Sequence, residues 1–341
     1  MQALVLTNNR KICRTEMDSP ADLAPDAAEI GIELTGICGT DMAVLTGREN
    51  GTAGIIRGHE AVGTVLRTGA HARRLAAGDR VVIDPNEYCG SCDACRAGET
   101  NLCYGAAGQG LAISGVNQHG TFAERYIAPE RFLYVLPDTM TWEAAVLVEP
   151  VACVLNNISA AGLKAGDRVL IMGAGPMGLV ALLVMRALGI SAVATEISRF
   201  RLDFAAAMGL SVLTPGELAE HLPDRSFDAV LDTVGDQLET AFGKVRRGGK
   251  VILFGFHDGY RFPLPVKQML TDAVSIIGAG EYNQGFPRAL RIAALIPELG
   301  NLITHRFSLD THDDAFRLLG SGEAKAMKVV FTPNGTTRKE S

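Results

Sequence analysis

Apolar and polar positions follow two different rhythms along the chain. In the first part, short apolar and β-branched runs at 3–6, 30–37, 61–66, 80–83 and 132–136 are separated by Gly, Pro, Asp and Asn. Runs of that length between turn-formers predict strands of a compact barrel or sandwich rather than a bundle. The character changes near Thr141, which fits a helix N-cap before 142–145. Pro150 fits the first position of a second helix, where its missing N–H costs nothing.

From Arg168 to about Gly278 apolar runs of strand length alternate with helical stretches. Strands are expected at 169–172, 192–195, 212–213, 229–232, 251–254 and 275–277, and helices at 177–188, 199–208 and 237–245. Such alternation predicts a doubly wound parallel sheet covered on both faces. A helix at 284–295, a strand at 306–309, a helix near 313–319 and a last strand at 327–331 follow, and the polar tail 332–341 is expected to fray.

At 341 residues the chain exceeds the usual size of one core, so two domains are expected. A net charge of -6, without a basic block, argues against nucleic acid and anionic membranes as partners. Residues 1–6 lack the flank and length of a signal peptide, and the apolar stretch at 179–185 is too short to cross a bilayer. A cytoplasmic location is therefore expected. Four of the seven cysteines crowd into 89–103, which in a reducing compartment favours metal over disulfides.

Gly173, Gly175, Pro176, Met177 and Gly178 lie in a GAGPMG run after the strand at 168–172 and at the opening of a helix. Glycines there permit a tight turn and close approach to a pyrophosphate held at a helix N-terminus. Glu196 ends the next strand, where a carboxylate can bind both ribose hydroxyls and repel a 2′-phosphate. NAD is thus favoured over NADP, although Arg199 and Arg201 could partly compensate the repulsion or bind adenine.

Cys89, Cys92, Cys95 and Cys103 offer four thiolates over a short span, enough to close a tetrahedron around zinc with no open position. Gly90 and Gly98 supply the needed turns. An iron–sulfur cluster is the alternative for the same thiolates. Elsewhere stand GICGTD at 36–41, GHE at 58–60 and Val148-Glu149-Pro150. Taken singly, Cys38 reads as a small buried apolar residue, His59 as a core histidine and Glu149 as a helix cap.

Together these elements resemble the zinc-containing medium-chain alcohol and polyol dehydrogenases, in particular the sorbitol and threonine dehydrogenase branch. GTFAERY at 120–126, VEPVACV at 148–154 and KVVF at 328–331 complete the match, in family order and over nearly the whole chain. The resemblance implies a GroES-like β-rich catalytic domain at 1–147 and 279–341. It also implies a Rossmann NAD-binding domain at 148–278, and an active site in the cleft between them. It further implies two zinc ions per chain, one structural in the 89–103 lobe and one catalytic. The catalytic ion would be held by Cys38, His59 and Glu149, with Glu60 able to approach or replace a ligand. Thr40 would hydrogen-bond the substrate oxygen and pass on its proton, and Asp41 would orient the histidine from behind.

The activity implied is hydride transfer between a secondary alcohol and NAD to give a ketone, zinc lowering the alcohol's pKa. Candidate substrates are polyols, sugar phosphates, cyclitols or aminocyclitols, and amino alcohols. A primary-alcohol dehydrogenase or aldehyde reductase is the alternative enzyme, and a zinc-stabilised NAD-binding sensor the non-catalytic one. The resemblance also suggests a homodimer or homotetramer. No histidine closely follows Asp41, so an extended histidine proton relay has no counterpart. His119 lies where it could line the substrate pocket, with a solvent-facing loop histidine as the alternative reading. Cys13 and Cys153 read as unpaired thiols, and His257 and His305 as structural or surface residues.

Overall fold

The computed structural model describes residues 1–18, 22–257, 259–321 and 325–335; the last six residues of the polar tail lie outside them. The chain divides into two compact units, one of Met1–Glu149 with Phe286–Ser341 and one of Pro150–Gly285.

The first unit opens with β1 (Gln2–Leu6), β2 (Ile12–Glu16), β3 (Ala27–Gly36) and the short helix α1 (Gly39–Leu45). There follow β4 (Glu60–Thr68), β5 (Arg80–Ile83), β6 (Asn86–Glu87), α2 (Asp93–Arg96) and β7 (Ala112–Ile113). β8 (Arg125–Pro129), β9 (Leu133–Val135) and α3 (Trp142–Ala145) precede α4 (Val148–Ala160), which leads into the second unit. Thr141 caps α3 by accepting a hydrogen bond from Ala144 N. Pro150 differs from expectation: α4 begins at Val148, so the proline is its third residue. It is accommodated because the first-turn N–H groups have no intrahelical partner to lose.

The second unit alternates β10 (Arg168–Met172), α5 (Pro176–Ala187), β11 (Ser191–Thr195), α6 (Arg199–Ala207), β12 (Val212–Leu213) and α7 (Pro215–His221). It continues with β13 (Phe227–Asp232), α8 (Leu238–Lys244), β14 (Val245–Leu253), α9 (Val266–Asp272) and β15 (Ser275–Gly278). The sheet runs β12-β11-β10-β13-β14-β15 with every pair parallel. Counted within the unit this is strand order 3-2-1-4-5-6, which leaves a crevice between β10 and β13 at the carboxyl ends of the strands. β10 is buried from its second residue onward, as a strand covered on both faces must be.

The chain returns to the first unit through α10 (Phe286–Ala293), β16 (Ile303–Phe307), α11 (His312–Gly320) and β17 (Lys328–Phe331). β16 starts and ends earlier than the apolar run at 306–309 suggests, since Thr332 N and Phe307 O close its ladder with β17. The seven-stranded sheet has the order β16-β17-β3-β4-β5-β9. β8 and β17 divide one edge of β3 between them: β8 pairs with 27–31, β17 with Thr35 and Gly36. One side of this unit packs around Phe122, Phe331 and Leu4, with Phe122 and Phe331 edge to face at 5.0 Å. Another packs around Ile30, Ile32, Val81 and Ile83. No helix among the described residues is long and apolar enough to cross a membrane.

Candidate metal and dinucleotide sites

The four cysteines of the lobe converge. Their sulfurs all lie within 4.8 Å of one another, with Cys89–Cys95 and Cys92–Cys103 at 4.0 Å. A tetrahedron with Zn–S bonds of about 2.3 Å has sulfur–sulfur edges of about 3.8 Å, so the set is slightly expanded around one ion's space. The separations rule out disulfides, and the cysteines are free. Short backbone turns build the knot: Cys89 N donates to Cys103 Sγ at 3.3 Å, and Gly105 N to the same sulfur at 3.2 Å. Ser91 N and Cys92 N both donate to Cys89 Sγ at 3.4 Å. Donors from Ser91 and Cys92 lower the Cys89 thiol to about 5, whereas burial and its sulfur neighbours push Cys95 up to about 12. Four sulfurs without a cation cannot all ionise; a divalent ion resolves that conflict, and the donor set fits one.

The second cluster is assembled by three strand ends. β3 and β4 pair with Gly36 opposite Glu60, and β3 and β17 pair with Gly36 opposite Val330. Ile37 N donates to Val329 O at 2.9 Å, fixing the chain as it leaves β3. Cys38 then stands as the N-cap of α1, and His59 directly precedes β4. The donor atoms of Cys38, His59 and Glu60 lie within 4.8 Å of one another. His59 and Glu60 are 6% and 1% exposed. Glu149, buried in the first turn of α4, stands outside that close set, yet its charge acts on both His59 and Lys328. Burial pushes the His59 imidazole down, but the Cys38 sulfur hydrogen-bonded to it and the carboxylates of Asp41 and Glu149 outweigh that and hold it up at about 10.

Among the described residues, His59 Nδ1 and Thr40 Oγ1 are buried here without a hydrogen-bond partner, and Glu60 Oε2 has only its ion pair with Lys328. Unsatisfied buried polar atoms are costly and point to a group that would satisfy them. Cys38, Asp41, Glu60 and Glu149 can each carry a negative charge, against the two buried cations Arg57 and Lys328. With the His59 imidazole neutral, as a metal ligand must be, the excess is two negative charges, the complement of one divalent ion. Thiolate, imidazole and carboxylate together fit zinc.

Asp41 differs from expectation. Its Oδ1 accepts from Arg57 Nε at 3.0 Å and lies 3.0 Å from Arg57 Nη2, while Oδ2 accepts from Cys38 N at 3.0 Å. It reaches His59 through its charge alone, because the fully buried Arg57 guanidinium captures the carboxylate that was expected behind the imidazole. Neither Arg57 nor Lys328 stands out in the sequence as a site residue. Lys328 pairs with Glu60 Oε2 and is only 4% exposed. The one available signal was a lysine opening the otherwise apolar strand 328–331.

In the second unit the glycine-rich run forms the turn from β10 into α5, with Gly175 as N-cap and Pro176 at the first helical position. Gly173 has φ +93°, and a Cβ at Gly178 would overlap the Gly173 carbonyl, so both glycines are required by the turn. Thr233, after β13, donates to Met172 O at 2.7 Å across the crevice between β10 and β13. Glu196 follows β11 and is 6% exposed. Its Oε2 accepts from Ala174 N at 3.1 Å, within the glycine-rich turn, and its Oε1 from Ile197 N and Ser198 N at 2.8 and 2.9 Å. Arg201 Nη1 lies 3.4 Å from Glu196 Oε2, so its charge is partly spent on that carboxylate. Met177 is the second residue of α5, and Arg199 pairs with Asp203 one turn on.

His119 is exposed, and its Nδ1 accepts from Ile56 N at 3.1 Å, which anchors the loop against the strand-like segment before Gly58. His257 is exposed, His305 bonds Thr304 Oγ1 at 3.0 Å, and Cys13 is an exposed thiol.

The geometry is that of a zinc-binding dehydrogenase with a GroES-like domain and a Rossmann domain, and the comparisons bear on the same point. Residues 24–138 match the alcohol dehydrogenase GroES-like domain, and residues 176–294 match the zinc-binding dehydrogenase family. The sorbitol dehydrogenase of Bacillus subtilis is 30% identical over 98% of this chain and 98% of its own. The D-altritol 5-dehydrogenase of Agrobacterium fabrum is 34% identical over 91% of this chain and 94% of its own. A crystal structure described as a zinc-binding dehydrogenase of Sinorhizobium meliloti 1021, bound to NADP, superposes with a TM-score of 0.87 at 26% identity, covering 97% and 99% of the two chains. The chain belongs to the zinc-containing medium-chain polyol dehydrogenase family.

Proposed function

We propose that this chain oxidises a secondary alcohol of a polyol or polyol-derived substrate to the ketone, with NAD as acceptor and two zinc ions per chain. The observation that carries the reading is the buried Cys38–His59–Glu60 cluster with the unpartnered Thr40 Oγ1 beside it in sequence. Zinc supplies Lewis acidity towards the substrate oxygen, and the nicotinamide accepts hydride. The protein's own part is to hold and orient. Cys38, His59 and the carboxylates of Glu60 and Glu149 hold the ion. Thr40 Oγ1, a hydroxyl with neither donor nor acceptor satisfied, hydrogen-bonds the substrate hydroxyl and takes its proton onward. Asp41, locked by Arg57, holds the Cys38 end of α1 in place through the Cys38 N–H. The four-cysteine lobe carries the second, structural ion.

Glu196 supports NAD. Its buried carboxylate would face a 2′-phosphate with like charge, and Arg201 is already engaged by it. The sorbitol and altritol relatives support the polyol class. For assembly, the outer edge of β15 carries no strand among the described residues, and Val266 and Leu270 of the adjacent helix α9 are 68% and 83% exposed. An unpaired edge strand and exposed apolar side chains support a homodimer or homotetramer, which light scattering tests. A lobe of four cysteines placed to hold one metal ion suits the reducing cytoplasm.

The test is NADH formation with NAD and a panel of polyols, cyclitols, aminocyclitols, sugar phosphates and threonine, with NADP in parallel. Turnover of one secondary-alcohol class, lost in Cys38→Ser, is expected; turnover of primary alcohols alone overturns the reading. Glu196→Gln is expected to shift the NAD:NADP ratio of kcat/KM towards NADP by at least about tenfold.

A further inference from the structure

Glu60 is held between two demands. Its carboxylate is one of the three mutually close donors with Cys38 and His59, and it is also ion-paired through Oε2 to Lys328. Both side chains are shut away from water, at 1% and 5% exposure. The pair sits over Gly36, the residue facing Glu60 across the β3–β4 ladder. A Cβ at Gly36 would overlap Glu60 Oε2 and lie 2.9 Å from Lys328 Cε, so the bare backbone makes the space in which carboxylate and ammonium meet. Lys328 is fixed there from its own side, as the first residue of β17, whose Val330 pairs with Gly36. Glu149 acts on Lys328 as well, so the ammonium balances both acidic side chains of the cluster.

We propose that Lys328 is a positioning residue that competes with the metal for Glu60, keeping that carboxylate an exchangeable donor beside Cys38 and His59 instead of a permanent one. This rests on reading the cluster as a zinc site. A buried carboxylate deprived of the ammonium it is paired with must find another cation or lose its charge. With the ion present, the ion is that cation. Lys328 therefore weakens the hold of Glu60 on the metal and keeps a position free for substrate. Its removal makes Glu60 a firm ligand that substrate must displace.

The direction of the effect separates this role from a structural one. Loss of a merely structural lysine loosens the site and speeds metal loss; loss of a competitor slows it. The experiment follows zinc release from the full-length holoenzyme to a chromogenic chelator, with Cys38→Ser marking the release that belongs to the four-cysteine lobe. Lys328→Met is expected to slow release from the buried cluster on the order of tenfold, to raise KM and lower kcat, and to shift the visible spectrum of the cobalt-substituted enzyme. Lys328→Arg is expected to restore wild-type release. In a Glu60→Gln background the Lys328→Met effect should vanish, since the cycle isolates the coupling between the two residues.

Faster or unchanged release in Lys328→Met, or slowing that persists with Glu60→Gln, overturns the proposal. If Lys328→Met does not fold, Gly36→Ala drives the carboxylate out of the same space and is likewise expected to slow release; unchanged release there overturns it. Failure of the underlying reading looks different: wild type and Cys38→Ser would then hold equal amounts of metal.

Discussion

The four-cysteine lobe and the Cys38–His59–Glu60 cluster belong to the same unit and solve opposite problems. The lobe uses donors of one kind, close in sequence, with the Cys89 and Cys103 sulfurs steadied by backbone N–H groups of its own turns. One ion would satisfy it, with no donor to spare. The cluster draws mixed donors from separate strand ends, leaves Thr40 Oγ1 and His59 Nδ1 unpartnered, and balances its acids with two buried cations. A site that must bind and release something keeps unsatisfied atoms; a site that only holds the fold together does not.

The sharpest way to break this contrast is to remove one ligand from each site. Cys38→Ser is expected to abolish turnover by about a thousandfold or more, with one ion lost per chain by elemental analysis and little change in melting temperature. Cys103→Ser should also lose one ion, but destabilise by several kcal/mol and lower the melting temperature by about 10 °C. Inactivation without destabilisation in Cys103→Ser would erase the distinction.

Arg57→Met comes next in size. It leaves Asp41 buried without its cation, and denaturant unfolding should report a loss of about 3–5 kcal/mol. Glu29 sharpens the comparison from the other side, as a buried carboxylate with no metal donor set around it. Burial raises its pKa, but Arg67 and Arg125 overcome this and hold it below the usual carboxylate value. Its folded pKa being depressed, the stability it contributes is present above about pH 4.5 and is lost as pH falls through the lowered folded value. Because both arginines are about half exposed, at 44% and 47%, Glu29→Gln should cost only about 1 kcal/mol at pH 7. The variant should also show a flatter stability profile below that pH.

Sequence was a good guide wherever the signal is local. The lobe at 89–103 and the glycine-rich turn at 173–178 each carry their chemistry within a few residues, and the alternation from Arg168 onward gave every strand of the parallel sheet. Helix α7 was missed although Thr214, Pro215 and Glu217 spell a capping box: Thr214 Oγ1 accepts from Glu217 N at 3.2 Å and Glu217 Oε2 from Thr214 N at 2.7 Å. β14 starts at Val245, where the sequence predicts the end of a helix over 237–245 and a strand only from 251. Arg57 and Lys328 were illegible for a deeper reason. A cation beside an apolar run ordinarily reaches water; only the register of β3, β4 and β17 buries Lys328, and only the contacts of Arg57 with Leu4, Phe122 and Asp41 bury Arg57.

That register also sets a timetable. Lys328 is separated from Glu60 by the whole second unit, and β17 must reach β3 before the two side chains can meet. While the chain emerges from the ribosome, the knot at 89–103 can load its ion as soon as Cys103 is clear. The balance at Cys38, His59 and Glu60 is set only by the last strand, because contacts so distant along the chain form late. Until then Glu60 has no ammonium to hold it. A nascent chain is thus expected to hold an ion at Cys38, His59 and Glu60 more firmly than the finished protein does, and to gain an exchangeable Glu60 only when β17 closes onto β3.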